Sequence, residues 1–194
     1  MKKGLLKDSS FGLAVVYVDI RHSTKIASKL NPQQQKMYYK TFLNEMIAVI
    51  EDFGGYPYKT VGDCVIGFFF EEGGFQWADS VIICGLMMIE VVKQNISPYL
   101  KSKGLPELEC RVGADYGEAQ IINLTGKEPL NAEVIGNVMN IAAKIQSCAG
   151  TNQMFIGQNL FELIHTPLRL CCEHKGNLDL NGKTYSYYKV NYKI

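Results

Sequence analysis

Residues Leu13 to Asp19 form an apolar, β-branched run that closes on a carboxylate. A run without alternation reads as a strand buried on both faces, so the rest of the chain must supply layers to cover it. An acid at the end of such a strand is out of place unless the strand end is functional. Ser23 or Thr24 can cap a helix after it. Gln33 to Phe53 then reads as a helix with an apolar stripe of Met37, Phe42, Met46, Ile47, Val49 and Ile50, stopped by Gly54-Gly55. Tyr56 to Val61 and Cys64 to Phe70 read as short strands, with Gly62-Asp63 as a two-residue hairpin turn. Phe75 to Gln94 predicts a second helix, apolar nearly all round. Glu109 to Asp115 and Glu118 to Asn123 predict another hairpin, turning at Tyr116-Gly117. A helix over Asn137 to Cys148, a strand over Met154 to Ile156, a short helix over Leu160 to Ile164 and a strand over Thr184 to Val190 complete the chain. The order β-α-β-β-α-β implies an α+β fold: a ferredoxin-like palm, an antiparallel sheet with helices on one face, with a C-terminal α/β extension. With 194 residues and no linker or repeat, the expectation is one domain over 1–194.

Charge narrows the partners. The formal net charge is +1, so no global field draws nucleic acid or an anionic membrane. Met1 to Lys7 lacks the apolar region of a signal peptide. The longest apolar stretch, Val81 to Val92, is broken by Gly85 and Glu90 and is too short to span a bilayer, so no stable membrane association is expected. The six cysteines form no C-x-x-C pair and have no His cluster beside them, which argues against zinc. They read as reduced thiols of a cytoplasmic protein.

Two acids carry the chemistry. Asp19 ends the first strand and Asp63 sits in the hairpin of the next two. In this topology the first strand lies beside that hairpin, so both carboxylates can meet at one edge. Hard oxygen ligands suit Mg²⁺ or Mn²⁺, and a metal pair can activate an attacking oxygen and steady a leaving group. Ordinary turn chemistry explains the same two residues equally well. Ile20 to Thr24 opens a helix, and its backbone N–H groups could hold phosphates.

Longer strings go further. Val16 to Thr24, VYVDIRHST, resembles the "ADIxGxT" opening of class III adenylyl and guanylyl cyclases. Lys59-Thr60-Val61-Gly62-Asp63 is similar to their "K-T-x-G-D" hairpin, Arg111-Val112-Gly113 with Gly117 to their "R-x-G-x-x-x-G", and Gly136 to Lys144 to their "G-x-x-V-N-x-A-x-R" except at the last residue. The four motifs stand in family order across roughly residues 13 to 190. The resemblance implies a nucleotidyl cyclase: two metal ions held by Asp19 and Asp63 with the carbonyl of Ile20, turning a nucleoside triphosphate into a 3′,5′-cyclic nucleotide and pyrophosphate. It implies that Asn140 orients the ribose and that Lys144, where the family carries Arg, meets the transferring phosphoryl group. Asn140 and Lys144 share a helix face by spacing. Lys59 and Glu133 match the base-reading positions, where the pair is closer to the adenine pattern of the family, and the other reading is that they merely pair. Lys183 stands in for a phosphate-binding Lys, and Ser23 and Thr24 sit in the phosphate loop. It implies further a homodimer with composite sites, carboxylates from one copy and Asn140 from the other.

A narrower resemblance, in VYVDIRHST, Gly113-Ala114-Asp115-Tyr116-Gly117 and Asn140 to Lys144, is to the Pycsar-type bacterial pyrimidine cyclases. It implies UTP or CTP as substrate, Tyr56, Tyr58 or Tyr116 as bulk closing the pocket on a small base, antiphage defence, and a separate effector activated by the cyclic nucleotide. The alternative is an adenylate cyclase. An alternative of another class is a non-catalytic, nucleotide-binding cyclase-homology domain.

Overall fold

The computed structural model describes residues 10–71, 76–123 and 132–192. The expected helix start at Phe75 and the segment Met1 to Lys7 lie outside them. The long apolar strand is β1 (Ser10–Ile20), followed by α1 (Ser23–Ala27), α2 (Pro32–Asp52), β2 (Tyr56–Val61) and β3 (Cys64–Phe70). Then come α3 (Trp77–Val91), a π-helical turn (Val92–Ile96), α4 (Ser97–Ser102), β4 (Cys110–Asn123) and β5 (Ala132–Ile135). The chain ends with α5 (Asn137–Cys148), β6 (Gln153–Gly157), α6 (Gln158–Leu163), α7 (Thr166–Arg169), β7 (Cys172–Leu180) and β8 (Lys183–Val190).

One sheet runs in the order β2-β3-β1-β4-β6-β8-β7, with β5 added to the far end of β4. All pairs are antiparallel except β4 with β6. The strand period of two divides the core. Ala14, Val16, Val18 and Ile20 pack with Tyr38, Phe42, Met46, Val81 and Met88 of α2 and α3. Leu13 and Val15 point the other way and pack with Ile66, Phe68, Val138 and Ala142. The helices therefore cover both faces, not one: α5 lies across the sheet from α2 and α3.

Three expectations change. The hairpin at Tyr116-Gly117 is instead one continuous strand, β4, paired with β1 from Ser10↔Gln120 to Ile20↔Cys110. Gly117 serves close approach there, since a Cβ on it would lie 3.0 Å from Val138 of α5. The second helix continues past Gln94 to Ser102. Pro98 in a regular helix would clash with the carbonyl four residues back, and the π-turn before it loosens that turn. The helical run Trp77–Ser102 is long and apolar enough to cross a membrane, but half of it is buried within the fold, as a core helix is. Finally, Ser23 begins α1, and the cap position belongs to His22 at φ 58, with no side-chain cap bond.

β4 also carries a buried acid. Asp115 is fully buried, Tyr185 Oη donates to its Oδ2 at 2.7 Å and Leu160 N–H at the start of α6 to its Oδ1 at 3.3 Å. Burial pushes its carboxyl up to about 6, against the pull of those bonds. The folded-state value lies above the unfolded one, so the stability it confers is complete below about pH 4 and is lost as pH rises through 6. Asp115→Asn removes the charge and keeps the shape. Relative to wild type, its stability should gain about 2–3 kcal/mol between pH 4 and 7.5. Urea melts across that range read the difference, and a flat difference rules the assignment out.

Candidate active site

The site forms where β1 ends and the β2–β3 hairpin turns. Tyr17 and Asp19 follow Leu13 and Val15 on the α5 face of β1. Val18 pairs with Val65, so Asp19 lies beside the turn that carries Asp63. Gly62 at φ 63 supplies the left-handed first position that such a turn needs. The Asp63 carboxylate is half-exposed and bonds to none of the described residues. Burial, then the fields of Asp19 and Asp63, push the Cys64 thiol between them up to about 12. The thiol is thus a neutral neighbour, and its shift reports both carboxylates close by.

Asp19 is held. Arg111, its register partner on β4, donates from Nε to Oδ1 at 2.8 Å and from Nη2 to Oδ2 at 2.9 Å. Its third nitrogen, Nη1, reaches the Ser147 carbonyl in the last turn of α5 at 3.4 Å. The hydrogen bond to Asp19, then the charges of Asp19 and Asp63, hold the guanidinium above its ordinary value, so its charge is permanent. The sequence places Arg111 in a motif without a role. Its role follows from the β1–β4 register.

No group of three or more His, Cys, Asp or Glu side chains gathers among the described residues. The carboxylate pair would need the Ile20 carbonyl, water and phosphate oxygens to complete a cation's shell. That all-oxygen set fits Mg²⁺ or Mn²⁺ and does not fit a thiophilic ion.

A second constellation sits on β2 and β5. The register slips at Tyr58: Pro57 pairs with Gly67, but Lys59 pairs with Ile66. Neighbours in a regular strand point to opposite faces, and this bulge turns Tyr58 and Lys59 to one side. Both donate to one oxygen, Glu133 Oε2, at 2.6 Å and 2.7 Å. The Tyr58 hydroxyl also accepts from Val134 N–H at 3.1 Å, and its ring stacks on Phe68 at 4.5 Å. The bonds from Lys59 and Tyr58 hold Glu133 below the usual carboxylate range. Glu133 Oε1 bonds to no described residue and is left as an acceptor. Lys59 and Glu133 therefore do pair, as part of a trio.

The other tyrosines differ. Tyr56 is 39% exposed. Tyr116 lies on the α3 side, where its hydroxyl donates to Glu71 at 2.9 Å and its ring rests 5.3 Å from Trp77. The idea that Tyr116 shapes a base pocket is thereby corrected.

Asn140 and Lys144 are exposed on α5, on the face opposite Val138, Ala142 and Ile145. Neither bonds to a described residue. Lys183 begins β8 after the Asn181-Gly182 turn, whose φ values are 57 and 82. In strand order β1, β4 and β6 separate β8 from the β2–β3 hairpin. Within one chain, then, Asp19, Asp63 and Arg111 come together, as do Tyr58, Lys59 and Glu133. Asn140, Lys144 and Lys183 make no contact with the carboxylates.

Residues 7–191 match the family model described as the adenylate and guanylate cyclase catalytic domain. A cytidylate cyclase of Escherichia coli is 27% identical over 161 residues, covering 77% of this chain and 34% of that protein. A cytidylate cyclase of Staphylococcus aureus is 24% identical over 158 residues, covering 78% and 37%. The chain thus spans about a third of the length of the curated relatives it matches. Among solved structures, the adenylyl cyclase CyaB from P. aeruginosa superimposes with a TM-score of 0.85 at 24% identity, covering 97% of this chain and 98% of that one. The guanylyl cyclase Cya2 gives 0.83 at 20% identity, covering 95% and 94%. These two likenesses are of fold.

Proposed function

Because the chain belongs to the adenylate and guanylate cyclase catalytic-domain family, we propose that it converts a pyrimidine nucleoside triphosphate, CTP or UTP, to its 3′,5′-cyclic monophosphate and pyrophosphate. The observation that carries the reading is the convergence of Asp19 and Asp63 at the end of β1, with Arg111 in register beside them.

Asp19, Asp63 and the Ile20 carbonyl would hold two divalent ions, Mg²⁺ or Mn²⁺. Such ions, when bound, acidify the ribose 3′-hydroxyl and neutralise the phosphates. The chain's own groups do the rest. The Arg111 fork matches the oxygens of a phosphate. Asn140 orients the ribose, and Lys144, one turn on, offers its ammonium to the α-phosphate as charge builds there. Ser23 and Thr24, at the start of α1, would meet the remaining phosphates, and Lys183, remote from the carboxylates of its own chain, would do so only in a site completed by a second copy. In a single chain Asn140 and Lys144 face solvent, which supports a site completed by a second copy: a homodimer in which each site takes carboxylates from one chain and α5 from the other.

For the base, Tyr58 and Lys59 saturate one oxygen of Glu133 and leave Oε1 free. An acceptor fixed this way suits the cytosine amine or the uracil N3–H, but the adenine amine matches it too, so Glu133 alone does not choose the base. The stacked Tyr58 ring narrows the space beside it. The pyrimidine preference rests on the curated relatives named as cytidylate cyclases. The resemblance to the Pycsar-type pyrimidine cyclases adds a cytoplasmic role in antiphage defence, with a separate effector that the cyclic nucleotide activates.

The test is direct. The purified chain is incubated with equal ATP, GTP, CTP and UTP and Mn²⁺, and products are identified by mass. A cyclic pyrimidine nucleotide with matching pyrophosphate is expected to dominate. Cyclic AMP as the main product would favour the adenylate cyclase alternative. No product from any of the four would leave a nucleotide-binding module.

A further inference from the structure

Arg111 takes one lone pair on each oxygen of Asp19, two of the carboxylate's roughly four acceptor sites, and competes there with a divalent ion. Its fork takes both carboxylate oxygens, at 2.8 and 2.9 Å. The pair is mostly shielded from water, with 22% of the Arg111 side chain and 16% of Asp19 exposed. Two parallel charge-assisted bonds in such a place are among the stronger polar contacts a protein makes. An ion arriving alone must either break them or settle on the remaining lone pairs beside a permanent cation, and either way its binding is weakened. The bond from Nη1 to the Ser147 carbonyl limits how far the arm can retreat. Asp63 is the other charge that Arg111 faces, and the same ion would claim it too.

Resting on the reading above, we propose that Arg111 makes divalent-ion binding at Asp19 and Asp63 depend on the nucleotide. The ion enters with the triphosphate, which takes over the guanidinium that Asp19 gives up. A phosphate offers the same two-pronged acceptor as a carboxylate, so the fork exchanges one partner for another without a strand moving. Formal charge supports the exchange. Two divalent ions with Arg111 and Lys144 offset the two carboxylates and a fully ionised triphosphate. Without the triphosphate they are in large excess.

The test needs no turnover. Mn²⁺ binding is read from the paramagnetic resonance signal of the free ion, for wild type, Arg111→Gln, Arg111→Lys and Asp19→Asn, each checked for fold by circular dichroism. Without nucleotide, wild type should bind Mn²⁺ weakly and Arg111→Gln on the order of tenfold more tightly. Arg111→Lys, which keeps the charge and loses the fork, should fall between them, and it carries the test if the Gln variant does not fold. Asp19→Asn should abolish the gain when combined with Arg111→Gln. Calorimetry with 3′-deoxycytidine triphosphate, which lacks the attacking hydroxyl, should show nucleotide affinity rising steeply with Mn²⁺ in wild type and far less in Arg111→Gln. Equal Mn²⁺ affinity of folded wild type and Arg111 variants without nucleotide overturns the proposal. Failure of the cyclase reading would show separately, as no cyclic product from any triphosphate.

Discussion

Asp63→Asn should lower the rate of cyclic nucleotide formation by about 10³-fold or more while leaving the fold intact. The Asp63 carboxylate bonds to no described residue, so the amide replaces it without breaking an internal contact. The loss would fall on the charge that shares a cation with Asp19, where every later step begins. Asp63 is a cleaner probe than Asp19, because removing Asp19 also frees Arg111. Initial rates of cyclic product with Mn²⁺ and circular dichroism of the same sample decide the matter. A folded variant within tenfold of wild type would remove Asp63 from the machinery.

Lys144→Ala should cost about 10²–10³-fold, mostly in kcat, because its contact strengthens as charge moves onto the transferring phosphate. Lys144 is exposed and unpaired among the described residues, so no structural loss is expected to confuse the reading. The proposed composite site adds a second expectation. Equal amounts of Asp63→Asn and Lys144→Ala chains, allowed to exchange, should recover about a quarter of the wild-type rate, since half the dimers are mixed and each keeps one intact site. No recovery after exchange is demonstrated would mean that carboxylates and α5 serve one site in one chain. A near-neutral effect would return Lys144 to the solvated surface, and a change in KM alone would leave it a ground-state contact to the substrate.

The parts of the fold legible in the sequence were those with a strong local period or an unambiguous turn. β2, β3 and α5 have the bounds expected, Tyr56–Val61, Cys64–Phe70 and Asn137–Cys148. The parts that were hidden obey longer-range causes. Gly117 reads as a turn residue, but α5 above it requires the missing side chain. β7 carries Glu173, Lys175, Asn177 and Asp179 at the sheet's edge, where charge guards against pairing and masks the strand signal. In the site, Asp19 stands out as an acid closing an apolar strand, and Asp63 as the acid of a tight hairpin turn. The grip of Arg111 on Asp19 depends on strand register, and the alignment of Tyr58 with Lys59 on one extra residue in β2. Neither register nor bulge is written in local composition.

Gly113 carries one more consequence. A Cβ there would lie 2.3 Å from the backbone of Gln146, so β4 and α5 touch main chain to main chain. Arg111 stands two residues before that contact, and Lys144 two residues before it on the helix. With no compressible side chain between them, the strand and the helix that would bear the two halves of the proposed composite site move together as a single lever. Strain applied to one chain then cannot open or close its own halves relative to each other. If the proposed dimer forms, its control would act on the angle between two such levers, and a small rotation about the axis relating the copies would switch both sites at once.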